Sequence, residues 1–302
     1  MCILLIKFAP TDIITMLKLQ TPVDFPKSSL QMSYDDTVVM LGSCFTDSIG
    51  GKISSAGYDV IVNPFGTLYN PVSIRNSITR LASGTPFTKS DCVEMGSGAG
   101  LICSFSHHTS FARKTEDEFL QNANECLAFA SSKFSSASLV VITLGTSWCY
   151  YNRESGEVVS NCLKRKASEF ERKMLPMEES LSILESIVTA FPEKKFIFTV
   201  SPIRHLSDGA TANLVSKSSL ILAVNRLVSR YPQQCGYFPS FEIMNDQLRD
   251  YRFYAQDMVH PSDQAIDYIW ERFVDWVVPD SQRQALEENL RQFRRSQHRQ
   301  ML

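Results

Sequence analysis

The stretch TVVMLGSCFTDS, residues 37–48, decides the predicted fold. Its first part, Val38–Leu41, is a short continuous apolar run, which is typical of a parallel strand covered on both faces. Gly42 then permits a tight turn, and Thr46 or Asp47 is a suitable cap for a following helix. The stretch therefore predicts a buried strand that runs through a turn into a helix, which is the beginning of an α/β fold.

Ser43 lies in this turn, where the predicted strand reaches the carboxyl edge of its sheet. Open α/β sheets bind ligands at this edge, and the free N–H groups at a helix start stabilise an oxyanion. We interpret Ser43 as a nucleophile, although a serine at this position taken alone is more often a helix cap. Cys44 is a rival nucleophile, because a thiolate is intrinsically the better attacker.

A serine hydroxyl needs a base within reach, and the chain offers one near its carboxyl end. Asp257 precedes His260 by three residues, in a short segment before a helix predicted to start near Ser262. This spacing allows one turn of the chain to carry both the base and the carboxylate that orients it. His205 is the chief alternative base, and we assign it to the pocket wall because it follows a predicted strand.

Six motifs together resemble the GSCFA family, which is named for the first of them and grouped with SGNH/GDSL-type hydrolases. They are GSCF at 42–45, NPFGTLYNP at 63–71, LGTSW at 144–148, NCLK at 161–164, FTVSPIRH at 198–205 and DYRFYAQDMVHPS at 250–262. The resemblance extends over residues 37–276. It implies a three-layer α/β/α sandwich with a mostly parallel sheet of about five strands and small hairpin insertions. It also implies Ser–His–Asp esterase chemistry, and it favours Ser43 over Cys44.

The resemblance further implies the groups of the oxyanion hole. In the wider hydrolase group a glycine after the second strand supplies an amide, which is Gly66 here, next to the amide of Ser43. Many of those enzymes complete the hole with an asparagine, whose place is taken here by Thr146 or Ser147. A hydroxyl or N–H of Thr146, or the side chain of Asn161, is the expected replacement. Losing one such donor costs ~3–4 kcal/mol in enzymes that depend on it.

Side chains from loops at the same sheet edge are assigned to substrate binding. They are Asn63, His108, Asn161 and His205. His108 lies in a predicted hairpin insertion between residues 92 and 111, where paired histidines more often mark a solvated turn. No metal is expected there, because no nearby acid or cysteine has the spacing of a ligand set.

Composition places the chain among ordinary globular proteins. Apolar residues are 44% and charged residues 21%, and the formal net charge of −2 gives no electrostatic signature for nucleic acid or an anionic membrane. The eight cysteines are scattered without zinc-like spacing, which indicates reduced thiols in a reducing compartment. We therefore predict a cytoplasmic protein without cofactor or metal. The resemblance implies that its partner is a small-molecule or glycan acyl ester.

One domain with insertions is the simplest interpretation of 302 residues. Residues 1–36 form an N-terminal segment with an extra strand predicted near residue 20, and Met16 is an alternative start that would leave 1–15 upstream. Residues 37–278 form the catalytic domain, whose last strand is predicted over 237–244. Residues 279–302 predict a polar C-terminal helix.

The leading functional hypothesis is a serine esterase or acyltransferase that acts on O-acyl esters, including O-acetyl groups on glycans. The sequence does not decide between water and a sugar hydroxyl as the acceptor. The alternative is a non-catalytic carbohydrate- or ester-binding module on the same fold. A third hypothesis is a metal-dependent hydrolase that uses His108, His205 and His260.

Overall fold

The computed structural model describes residues 20–300 apart from 97 and 99. The alternative start at Met16 lies outside these residues. The described part of the N-terminal segment, residues 20–36, contains no strand, so the extra strand predicted near residue 20 is wrong in this part. The apolar side chains of this segment pack against helices near the C-terminus, and its backbone adds no strand to the sheet.

Within the described residues, the backbone forms one five-stranded sheet and two small sheets. The large sheet has the strand order β10-β9-β5-β1-β2, and all its neighbouring strands are parallel. The strands are β1 (Thr37–Gly42), β2 (Asp59–Val62), β3 (Val93–Glu94), β4 (Ile102–Cys103), β5 (Leu139–Leu144), β6 (Trp148–Asn152), β7 (Val158–Val159), β8 (Phe170–Met174), β9 (Lys195–Val200) and β10 (Cys235–Phe238).

Helices cover both faces of the large sheet. One core cluster packs the sheet against α2, α3, α4 and α5, and a second packs the opposite face against α1 and α7. The expected three-layer α/β/α architecture is therefore confirmed. The helices are α1 (Cys44–Ser55), α2 (Pro71–Ser83), α3 (Glu116–Ser136), α4 (Met177–Ala190), α5 (Ala210–Arg230), the short α6 (Ser240–Glu242), α7 (Asp263–Val277) and α8 (Arg283–Gln300).

The turn between β1 and α1 requires glycine. The apolar run of β1 is fully buried between β2 and β5, as a central parallel strand should be. Gly42 has a φ of +148°, and a Cβ built on it would lie 2.2 Å from the carbonyl oxygen of Thr143 in β5. No other residue fits so close to the neighbouring strand, and the chain turns directly into α1 at Cys44.

Two hairpin insertions flank the main sheet, as the sequence predicted. Strands β3 and β4 form one, and β6 pairs with β7 in the other, which β8 extends to three strands. The last strand of the main sheet is shorter than the predicted 237–244. It ends at Phe238, because Pro239 has no N–H for the ladder, and residues 240–247 are helical.

The chain then returns to the sheet edge through the segment before α7. Ser262 caps α7 as expected, since its Oγ accepts the N–H of Ala265 at 3.3 Å. The polar helix predicted at the C-terminus is α8. None of the helices in the described part of the chain is both long enough and apolar enough to cross a membrane.

Candidate active site

Ser43 and Cys44 occupy different environments at the end of β1. Ser43 is the N-cap of α1, and it is only 1% exposed. Its N–H donates to the carbonyl of Thr143 at 3.2 Å, while its Oγ is buried and bonds to none of the residues that the structure describes. Cys44 is the first residue of the helix and is partly exposed. A substrate arriving from solvent therefore meets the thiol before the hydroxyl.

His260 faces the cysteine. Its Nε2 lies 3.7 Å from Cys44 Sγ, and its Nδ1 lies 2.6 Å from Asp257 Oδ2. The other oxygen of Asp257 accepts the N–H groups of Val259 and of His260 itself, at 2.9 and 3.0 Å. The D-x-x-H spacing thus forms one compact turn, in which the carboxylate holds the imidazole and the imidazole reaches the thiol. Among the three residues predicted to be catalytic, the structure joins His260 to Asp257, and Ser43 makes no hydrogen bond to either.

The hydrogen bonds and the burial of these groups set their ionisation. The backbone N–H groups of His260 and Val259, and then the His260 ring, lower the pKa of Asp257 to about 2. The carboxylate is therefore ionised wherever the histidine functions as a base. Burial raises the pKa of the Cys44 thiol, and the neighbouring Asp47 adds to this effect. The N–H groups of Cys44 and Phe45 and the charge of a buried lysine, Lys217, act in the opposite direction.

The three N–H groups predicted for the oxyanion hole are all bonded to carbonyls. The N–H of Ser43 bonds to Thr143, that of Gly66 to Asn63 at 2.7 Å, and that of Thr146 to Tyr69 at 2.9 Å. The bond of Ser43 joins the end of β1 to β5, that of Thr146 joins the loops after β5 and β2, and that of Gly66 closes a turn within the loop after β2. The structure therefore leaves none of the three N–H groups free for an oxyanion.

The side chain of Thr146 is engaged as well. Its Oγ1 lies 3.0 Å from Ser216 Oγ and accepts the N–H of Trp148 at 3.1 Å. The first turn of α1 offers other donors, because the first N–H groups of a helix have no acceptor within it. Those of Cys44 and Phe45 approach the thiol sulfur.

Asn63, predicted to bind substrate, holds the site together. Its backbone φ is +43°, and the residue is buried. Its Oδ1 accepts the N–H of Gly42 at 2.8 Å, and its Nδ2 donates to Asp47 Oδ1 at 2.7 Å. Both polar groups of the side chain are thus occupied, so Asn63 joins the ends of β1 and β2 to α1.

His108 and His205 lie near the same edge. Gly66 has a φ of +85°, and a Cβ built on it would lie 2.2 Å from His108 Cβ. Burial raises the pKa of Asp47, and the charge of His108 acts to lower it. The His205 ring packs edge-on against Tyr69, with the ring centres 5.9 Å apart, and burial lowers its pKa to about 4. His205 is therefore neutral near pH 7.

Asn161 is used within its own turn. Its Oδ1 accepts the N–H of Leu163 at 2.8 Å. Across the residues that the structure describes, it makes no hydrogen bond to Cys44, His260 or Asp257. Its predicted contact with substrate has no support in this geometry.

Two residues of this edge were not found from the sequence. Lys217 in α5 is completely buried, and Tyr69 bonds through its carbonyl to the loop after β5. Lys217 stands three and seven residues before Leu220 and Val224, which are buried on the same helix face. A lysine on an apolar helical stripe is unusual, and that pattern was the available signal.

A cleft of about 260 Å³ lies next to the Asp257–His260 turn. Arg204 lines it and also donates to the carbonyl of Met258 at 3.3 Å, which places the cleft beside the candidate site. Across the described part of the chain, no three or more histidine, cysteine or acidic side chains are grouped to hold a metal ion. The sequence hypothesis of a metal site from three histidines therefore has no support in this geometry.

Fold and site together define a three-layer α/β protein in which a thiol, an imidazole and a carboxylate meet at the carboxyl edge of a parallel sheet. The chain belongs to the GSCFA family, whose sequence model matches residues 37–273. Curated proteins include no significant match.

Solved structures with similar folds include two esterases. A carbohydrate esterase family 2 enzyme with a carbohydrate binding domain from Corynascus thermopiles (Myceliophthora fergusii) is 15% identical, with a TM-score of 0.39, over 89% of this chain and 69% of that chain. An acetyl xylan esterase from the rumen bacterium Butyrivibrio proteoclasticus is 12% identical, with a TM-score of 0.39, over 84% of this chain and 65% of that chain. At such low identities and TM-scores, neither similarity bears on the activity of this chain.

Proposed function

We propose that the protein hydrolyses or transfers acyl groups of esters through a thioester on Cys44. The observation that carries this proposal is the continuous contact from Cys44 Sγ to His260 Nε2 at 3.7 Å and from His260 Nδ1 to Asp257 Oδ2 at 2.6 Å. A nucleophile within reach of a base, and a base held by a third group, is the arrangement required for acyl transfer.

The chemistry has two halves. Cys44 Sγ attacks the carbonyl carbon of the ester, and its proton passes to His260 Nε2. The C–O bond then breaks, and the imidazolium returns this proton to the leaving alcohol. Water or a second alcohol attacks the thioester and gives its proton to His260, and the thiol regains that proton as it leaves. Asp257 keeps the imidazole in the required tautomer and stabilises its positive charge throughout.

Cys44 is favoured over Ser43 by position. The Ser43 hydroxyl is buried, and within the described residues nothing accepts its proton. The thiol is partly exposed and contacts the base. The burial that raises the pKa of Cys44 keeps the resting thiol neutral, so proton transfer to His260 has to accompany attack.

The proposed substrates are O-acyl esters, including O-acetyl esters on glycans. The family resemblance supports this class. The geometry is compatible with a large acyl donor, because the side chains of His260 and Asp257 are 48% and 50% exposed. The acceptor, water or a sugar hydroxyl, decides between hydrolysis and transfer.

Turnover of an aryl acetate by matched variants tests the proposal. We expect Cys44→Ala to lose activity by ~10³-fold or more. The neighbouring Ser43→Ala variant is the control, and it is expected to retain activity within a few-fold. Circular dichroism of both variants establishes that they are folded. Loss of activity in Ser43→Ala together with retention in Cys44→Ala would return the role of nucleophile to the serine.

A binding module remains the second candidate, because the N–H groups predicted for the oxyanion hole are bonded to carbonyls. It predicts that wild type and Cys44→Ala bind an acetylated glycan equally and that neither turns it over. Isothermal titration with acetylated and deacetylated forms of one glycan, followed by analysis of the ligand for lost acetate, separates the two functions. Released acetate in the wild-type sample alone favours the enzyme.

A further inference from the structure

Lys217 is a buried cation at the sheet edge that carries the candidate site. This residue of α5 is completely buried, and its Nζ donates to the carbonyls of Gly145 at 2.6 Å and Ser201 at 2.7 Å. Throughout the residues that the structure describes, no carboxylate lies within ion-pair distance of it. A buried charge normally needs an opposite charge or a full set of hydrogen bonds, so Lys217 requires an explanation.

The two carbonyls fix where the ammonium group lies. Gly145 directly follows β5 and Ser201 directly follows β9, so Nζ is held between the carboxyl ends of these two adjacent strands. Strand β1, which leads into Cys44, is the other neighbour of β5. Adjacent strands are ~4.8 Å apart, so the lysine and the cysteine lie close together along the carboxyl edge of the sheet.

We propose that Lys217 is a positioning residue whose buried ammonium group stabilises the thiolate of Cys44. The inference rests on the proposed role of Cys44 as nucleophile. An ammonium group has three N–H donors, and the two carbonyls accept two of them. In the dry interior beneath the sheet edge, a positive charge acts on a neighbouring anion much more strongly than it would in water.

The ionisation of both groups agrees with this placement. Burial lowers the pKa of Lys217 to about 7, and the charge of Cys44 acts to raise it. In return, the charge of Lys217 lowers the pKa of Cys44, against the effects of burial and Asp47. Tyr69 and His205 also face this pair, and the charge of Lys217 helps to keep His205 neutral.

His260 and Lys217 therefore have different proposed roles at the sulfur of Cys44. His260 accepts the proton of the thiol, and Lys217 stabilises the negative charge that this transfer leaves behind. The same charge would favour departure of the thiolate from the thioester in the second half of the reaction.

Site-resolved alkylation tests the inference without requiring turnover. Iodoacetamide is reacted with the protein over a pH series, and the modified Cys44 peptide is quantified by mass spectrometry. Lys217→Met is expected to slow the alkylation of Cys44 by about tenfold or more below pH 7, where Lys217 carries its charge, and to leave the rate unchanged at higher pH, where Lys217 has lost its proton. Lys217→Arg, which keeps the charge, is expected to restore most of the wild-type rate below pH 7. An unchanged rate below pH 7 in folded Lys217→Met overturns the inference.

Lys194 provides a matched control. It is also buried, and its Nζ also donates to backbone carbonyls, those of Ala137 at 2.8 Å and Ser135 at 3.4 Å, but at the opposite edge of the same sheet. Lys194→Met is expected to cost stability and to leave the Cys44 profile unchanged. An equal loss of Cys44 alkylation rate in both methionine variants would assign the effect to general destabilisation and overturn the inference.

A third measurement decides the question if neither variant of Lys217 folds. In His260→Ala protein the imidazole no longer acts on the thiol. The logarithm of the Cys44 alkylation rate is then expected to rise by less than one per pH unit near pH 7, because Lys217 loses its proton there and the thiolate loses the charge that stabilises it. A rise of one per pH unit through this range overturns the inference. If the role of Lys217 is refuted, the proposed roles of Cys44 and His260 still stand. An active Cys44→Ala variant would instead refute the proposed function itself.

Discussion

Replacement of Asn63 by alanine separates a structural role from the substrate contact that its position suggests. The side chain accepts the N–H of Gly42 at 2.8 Å and donates to Asp47 at 2.7 Å. If substrate were its main partner, Asn63→Ala would chiefly raise KM. If the side chain holds the turn before Cys44, the variant loses stability, and its kcat falls because the thiol is displaced from His260.

The size of the loss follows from these contacts. An unpaired buried N–H at Gly42 costs ~1–3 kcal/mol, and the second hydrogen bond contributes ~0.5–1.5 kcal/mol. Asn63 also has a φ of +43°, a conformation that asparagine tolerates better than alanine. Because contributions within one network do not add fully, we expect a loss of ~2–4 kcal/mol in the free energy of unfolding.

Urea unfolding followed by fluorescence measures this loss, and Asn63→Gly is the control. Glycine accepts the positive φ but makes neither side-chain hydrogen bond, so it is expected to lose ~2 kcal/mol or more as well. A large loss in alanine with a small loss in glycine would assign the effect to backbone strain. Wild-type stability in both variants, with only KM raised, would refute the structural role and restore Asn63 as a substrate contact.

Two further predictions concern Asp257 and the loop that contains Gly66. Hydrogen bonds hold the pKa of Asp257 at about 2, below its ordinary value of 3.8, so its contribution to stability is present above pH 3.8 and is lost as the pH falls towards 2. The difference in stability between wild type and Asp257→Asn should shrink across that interval, and a constant difference in urea titrations contradicts this. Gly66→Ala should cost ~2 kcal/mol or more, because its φ is +85° and the new Cβ would lie 2.2 Å from His108 Cβ. Its control Gly51→Ala, inside α1 with open space around it, should gain ~0.5–1 kcal/mol in thermal melts, so similar effects of both changes would contradict the described packing.

Local patterns were sufficient for most of the architecture. The apolar run of β1 predicted a parallel strand covered on both faces, and its alternate side chains pack into the two core clusters on opposite faces of the sheet. The three-residue spacing from Asp257 to His260 predicted a carboxylate and imidazole on one turn, and their atoms lie 2.6 Å apart. These features depend on residues close together in sequence, which is why they could be predicted.

The choice between Ser43 and Cys44 depends on backbone geometry that the local sequence does not specify. It follows from the φ of +148° at Gly42 and from the start of α1 at Cys44, which turn one side chain inward and leave the other at the surface. The resemblance favoured the serine, whereas the proposal of Cys44 depends on a difference of one residue at a tight turn. The partners of Lys217 could not be predicted either, because its two carbonyl acceptors lie 72 and 16 residues away, in loops after two different strands.

The central claim is that the acyl group is carried by sulfur. Rapid acid quenching of the protein during turnover of an aryl acetate, followed by fragmentation of the peptide that contains residues 43 and 44, measures this directly. We predict an acetyl group on Cys44 that neutral hydroxylamine removes, as it does from thioesters. An acetyl group on Ser43 that resists hydroxylamine, and that persists in Cys44→Ala, would contradict the account.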